Sequence, residues 1–164
     1  MLRDRLFSRF GAPRGFTLVE LLVVIAIIGI LAGIVLASLG STRQRGAVAG
    51  VAANLATMRT SAAIFSSNAG YSYDGFCVST ANNGGDRHLD AAKNAAGISA
   101  ATVIDGIGAA GQATCNDGVG GFATEVPLGN LVSPSGQFWC VDYNGYSGTT
   151  SASTLTSAAD YTCN

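Results

Sequence analysis

Charge is scarce in this chain, and histidine nearly absent. Only 12% of its residues are Asp, Glu, Lys or Arg, with Lys+Arg 9 against Asp+Glu 10. Such a balance supplies no basic face to neutralise phosphates, so nucleic-acid binding is not indicated. With a single histidine, any His-containing dyad would depend on His88, whose neighbours Arg87 and Asp90 read as the surface of a short helix. No cluster of catalytic side chains stands elsewhere, so neither an enzyme nor a cofactor site is expected. The four cysteines, Cys77, Cys115, Cys140 and Cys163, lack the close pairing of zinc sites. Disulfides in an oxidising compartment are expected instead, and no metal. Residues 116–121, NDGVGG, resemble a calcium loop only faintly. They lack its alternating oxygen ligands and terminal Glu, so they read as a polar turn. No Asn-x-Ser/Thr sequon is present.

What the chain does have is one long apolar run. Residues 16–39 are 24 in number, about 36 Å as a helix, which is membrane-spanning length rather than the 7 to 15 apolar residues of an ordinary secretory signal. Upstream, Arg3, Arg5, Arg9 and Arg14 outnumber Asp4, a basic flank that the positive-inside rule keeps in the cytoplasm while everything after the run is exported. Within the run stands a carboxylate, Glu20. A glutamate there costs on the order of 2.5 to 3.5 kcal/mol at mid-bilayer, so it reads as a functional residue that has a partner. A plain signal anchor leaves it unexplained.

The stretch Gly15-Phe16-Thr17-Leu18-Val19-Glu20, after a basic leader and before a long apolar helix, closely resembles the leader and start of type IV pilins and pseudopilins. The resemblance is specific over residues 14–40. It implies that a prepilin peptidase/N-methyltransferase cuts between Gly15 and Phe16 and methylates the new terminal amine. Phe16, Thr17 and Glu20 then serve assembly. Its further implications are insertion in the inner membrane as a single-pass precursor with the head outside the cytoplasm, an assembly platform in that membrane, and polymerisation with other copies and related pilins into an extracellular filament. A departure from the pattern is Ala37, near which many members have proline. Any helix distortion there must come from glycine.

Cleavage supplies a partner for Glu20 on physical grounds as well. The freed Phe16 amine has an ordinary pKa of about 7.7 to 8 and would sit in an apolar environment. Two arrangements stand open. The carboxylate, four residues on, can be served by its own amine and helix dipole. Alternatively it pairs with the amine of an incoming subunit, which fixes axial register, because an unpaired buried charge is heavily penalised. Gly29, Gly33 and Ala37, four apart, form a small-xxx-small pattern for close helix packing, and Gly46 and Gly50 repeat the spacing.

Beyond the run, Val48, Val51, Leu55, Met58, Ala62 and Phe65 recur at three- and four-residue spacing, one buried face of a continuing helix. Gln44, Arg45, Asn54, Thr57, Arg59, Thr60 and Ser61 make the polar side. The helix is expected over about 16–69, stopping at Asn68-Ala69-Gly70. From Tyr71 onward a Gly/Ser/Asn-rich head follows. A short helix N-capped by Asp86 and closed by Gly97 is expected, with strands at 121–126, at 137–143 and around Tyr161, and a hairpin turn at Asn144-Gly145.

The fold class is therefore α+β: a long N-terminal helix whose first half spans a membrane and whose second half packs on a small antiparallel sheet. Residues 1–15 are read as the cleaved leader, 16–39 as the span and filament core, and 40–164 as the exported head. Four cysteines allow three pairings, among which sequence does not choose. The preferred set is Cys77–Cys115 with Cys140–Cys163, the latter stapling the tail to the Trp139 strand as in the disulfide-bounded C-terminal region common among pilins. The tail SGTTSASTLTSAAD reads as an exposed polar loop, with O-glycan attachment as the alternative. A structural pilus subunit is the first functional reading and a pseudopilin of a secretion or DNA-uptake machine the alternative. A tethered enzyme would need a cluster of catalytic side chains that the sequence does not offer, and a tethered binding module leaves the Gly15-Phe16 junction and Glu20 without a role.

Overall fold

The computed structural model describes residues 15–163. The chain is α+β, a long N-terminal helix that is apolar in its first part, followed by a small five-stranded sheet. It divides into two compact units between Gly40 and Ser41. The expected basic leader falls almost wholly outside the described residues.

Helix α1 is Leu18–Asn68, 51 residues long. In the first unit its apolar side chains are exposed, among them Leu18 at 80%, Ile30 at 67% and Leu36 at 72%. It is long and apolar enough to cross a membrane, with a mean hydropathy of 3.0 over its most apolar window. A helix suits so apolar a stretch, rich in β-branched Val and Ile though it is, because it satisfies the backbone N–H and C=O groups within the segment itself.

In the second unit the same helix buries a stripe. Val51, Leu55, Met58 and Ala62 are fully buried, with Val48 and Phe65 packed partly against them. Each fully buried aliphatic or Met side chain contributes about 1.5 to 3 kcal/mol, so this stripe anchors the head's core. The helix stops at Asn68 because Gly70 and Tyr71 turn left-handed, both at φ 67°, and the Tyr71 N–H closes onto the Ser66 carbonyl at 2.7 Å.

Helix α2 is Asp86–Ala96 and buries Leu89 and Ala92. Asp86 proves to be its first helical residue rather than its N-cap. Gly85 takes the cap position, and no side chain caps it. The reason is steric: a Cβ at Gly85 would lie 2.8 Å from Met58 Cε and 2.9 Å from the Phe76 ring. Gly97, at φ 73°, closes the other end.

Five strands follow, β1 Val103–Ile104, β2 Thr114–Gly118, β3 Gly121–Pro127, β4 Phe138–Asp142 and β5 Ser147–Thr150, and they lie side by side in chain order. The sheet is mixed, not antiparallel as expected: β1 runs parallel to β2, and the other neighbours are antiparallel. Residues 116–118 belong to a strand, so the expected polar turn shrinks to Val119-Gly120, between the paired Gly118 and Gly121. Part of the supposed tail loop is β5, and Tyr161 lies outside any strand.

The two faces of the sheet are held by different forces. Alternation along β2–β4 sends Cys115, Phe122, Val126 and Val141 into the core with the α1 stripe, where Phe76 packs edge-on to both Phe122 (5.2 Å) and Phe65 (5.5 Å). Toward the tail the same strands offer Asn116, Glu125 and Asp142, all essentially buried. Asn116 Nδ2 donates to the Ser157 carbonyl at 2.8 Å. Glu125 accepts the Ser153 hydroxyl and, at 3.0 Å, the Thr154 N–H. Asp142 Oδ2 accepts the Cys163 N–H at 3.1 Å. The tail is thus clasped by hydrogen bonds to buried polar groups, each costly to leave unmade.

Candidate functional site

The start of α1 is built by Thr17 and Glu20. Glu20 Oε2 accepts the Thr17 N–H at 2.9 Å and the Thr17 hydroxyl at 2.8 Å, while the Glu20 N–H donates back to Thr17 Oγ1 at 3.2 Å. This is a reciprocal capping box, which satisfies backbone donors that a helix start otherwise leaves open. Both side-chain bonds go to Oε2, and among the described residues Oε1 accepts nothing. Glu20 therefore has an uncharged partner within its own chain, Thr17. The Thr-x-x-Glu spacing was the available signal.

Gly15 and Phe16 lie just outside the helix and are exposed, Phe16 at 77%. A peptide bond in such a place is open to a protease without unwinding any helix. At Gly29 and Gly33 a built Cβ would meet nothing within 4 Å, so this flank of the first unit is bare. The side chain of Ala37 lies outside the described residues. Gly50 behaves differently: a Cβ there would come within 3.2 Å of Ala95 Cβ, so it serves packing inside the head.

In the head, Cys77 bonds Cys115 and Cys140 bonds Cys163, with Cα separations of 5.8 and 5.9 Å. Cys77–Cys115 ties the loop after α1 to β2, and Cys140–Cys163 ties the tail to β4. Beside the first bond, Asp117 Oδ2 accepts the Phe76 N–H at 2.7 Å, and its buried Oδ1 has no partner among the described residues. Burial, helped by the nearby charge of Asp105, pushes the Asp117 carboxyl up to about 6, against the opposing pull of the Phe76, Cys77 and Gly75 N–H groups.

His88 is not plain surface. It is half-buried, with Nε2 3.0 Å from the hydroxyl of Ser61 on α1, and burial together with Arg87 lowers its pKa. Arg59, also expected on the polar side, donates to the Gly145 carbonyl at 2.7 Å. Among the described residues no group of three or more His, Cys, Asp or Glu side chains could hold a metal ion.

Residues 12–36 match the family model described as the prokaryotic N-terminal methylation motif. This is the prepilin-type leader of type IV pilins and pseudopilins. No curated protein and no solved structure matches the chain. The motif supports a type IV pilin-like or pseudopilin precursor, a structural rather than enzymatic class of protein. Together with the membrane-length helix it fits inner-membrane insertion, and it implies assembly with other pilins and contact with processing machinery.

Proposed function

We propose that the chain is the precursor of a structural subunit of a type IV pilus. Residues 1–15 are its leader, 16–39 its membrane span and later filament core, and 40–164 its exported head. A prepilin peptidase cuts after Gly15, the Phe16 amine is methylated, and subunits polymerise through their helices from an inner-membrane platform into a surface filament.

The observation that carries this reading is the half-used carboxylate of Glu20. Its Oε2 accepts from Thr17, and among the described residues its Oε1 accepts nothing, which leaves that oxygen for a second donor. The cap lies wholly downstream of the Gly15-Phe16 bond, so it survives the cut. An incoming subunit's Phe16 amine then meets a carboxylate already oriented by its own chain, and pairing neutralises both charges where an unpaired one is costly. Thr17 is the positioning residue in this scheme. The stapled tail favours a pilus subunit, whose head must persist outside the cell.

Intact-mass analysis of membrane and fibre fractions tests the processing step. A chain beginning at a methylated Phe16 is expected; four arginines and one aspartate leave with the leader, taking the net charge from −1 to −4. Retained Met1 in fibres overturns the reading. Electron microscopy of the same material distinguishes the long surface fibres of a pilus from the short periplasmic assembly of a pseudopilin.

A further inference from the structure

Four residues after Leu39, the last apolar residue of the run, α1 carries Arg43, and two residues later Arg45. Both are exposed, and among the described residues neither takes part in an ion pair, which is confined there to Lys93–Asp90. Their own helix offers them no nearby carboxylate, since the sequence holds no Asp or Glu between Glu20 and Asp74. The next guanidinium along, Arg59, is different in having a carbonyl to bond within the head.

Two features point to the ligand. At about 100° per residue the two arginines diverge by about 160° around the helix axis, so no flat partner surface can engage both. A layer of headgroups surrounding the helix can. Arg43 and Arg45 lie only about 6 and 9 Å beyond the end of the apolar run along the helix, within reach of the headgroup layer for side chains that long. Guanidinium groups take phosphate oxygens bidentately, a match that an ammonium cannot make.

We propose that Arg43 and Arg45 bind the phosphates of anionic phospholipids at the outer face of the membrane, a collar that holds the subunit until it is drawn into a fibre. This rests on the reading of residues 16–39 as the span. The test uses the full chain, in vesicles of phosphatidylcholine with or without phosphatidylglycerol, and in mild detergent by native mass spectrometry. The expected result is retention of phosphatidylglycerol over phosphatidylcholine, undisturbed by millimolar inorganic phosphate. Retention should weaken about fivefold for R43Q or R45Q and about 25-fold for the double variant, from about 1 kcal/mol per juxtamembrane basic residue. R43K/R45K should fall in between. Equal retention by R43Q/R45Q overturns the proposal, as does displacement by inorganic phosphate, which assigns a free-phosphate site. Lost self-association with unchanged lipid retention overturns it too, assigning the arginines to a second copy. Failure of the unaltered chain to float with either vesicle overturns the span itself, a result distinct from the others. All four variants should keep oxidised cysteines and the same circular dichroism, since neither side chain supports the fold.

Discussion

Two stretches of one helix obey different solvents. In residues 18–39 the large apolar side chains are exposed, whereas in residues 48–65 the large apolar residues other than Ile64 keep to one stripe and the remaining faces carry alanine and polar side chains. An all-round apolar helix specifies no direction and no depth. The stripe of the second stretch fixes its own rotation, because one face has a core to enter. The first stretch must obtain its register from something else, and the only ionisable side chain in it is Glu20. The difference teaches where each stretch is vulnerable: the first to loss of a charge, the second to loss of a methylene.

The largest effect should come from Glu20→Ala. Insertion and head folding should be unchanged or improved, while fibre yield should collapse, with cleaved monomers accumulating in the membrane. Normal fibres built from this variant would show that register is set elsewhere. Leu55→Ala should cost the head about 2 to 5 kcal/mol in denaturant unfolding followed by Trp139 fluorescence, and Ile30→Ala should leave that curve unmoved. Equal losses from both would erase the contrast between the stretches.

Removing the Cys140–Cys163 bond with paired serines should cost about 3 kcal/mol on the chain-entropy account of a 23-residue separation, and tail proteolysis should precede global unfolding. Limited proteolysis that cuts the loop after α1 first would refute that order. The smallest effect belongs to Asp117. Its folded-state pKa of about 6 lies above the ordinary 3.8, so its contribution is fully present below about pH 3.8 and fades as pH rises through 6. Melting temperatures of the unaltered head should therefore fall across that window for this group, and Asp117→Asn should flatten the slope. An unchanged slope assigns it to other carboxylates.

The long helix was legible because its signals are redundant: apolar length, the three- and four-residue stripe, and a glycine stop all agree. The Asn144-Gly145 hairpin was legible for the same reason, as a turn pair beside an apolar strand. The polar strands were not. Thr114–Gly118 contains Asn116, Asp117 and Gly118, residues that favour turns, and it forms a strand because Asn116 holds the tail and Asp117 the Phe76 loop. Ser147–Thr150 lacks any apolar alternation, and the two-residue parallel strand at Val103–Ile104 is too short to leave a pattern. At the helix start, the resemblance places Thr17 with the assembly residues, but its bond to Glu20 is masked in sequence by the apolar setting, where a carboxylate points to a charged partner before it points to a cap. His88 misled by its charged neighbours, which conceal that Ser61 faces it from another helix.

The order of the cysteines carries a consequence for biogenesis. The bonds join first with second and third with fourth along the chain, and their loops neither nest nor cross. On the proposed reading, a head threaded outward from its N-terminal end would deliver Cys77, Cys115, Cys140 and Cys163 in that sequence. An oxidant that simply links each emerging thiol to the one before it leaves the native connectivity, with no mispaired species for an isomerase to repair. The strands also emerge in the order in which they sit in the sheet, so each finds its neighbour already in place. Export and folding can then proceed as one vectorial process.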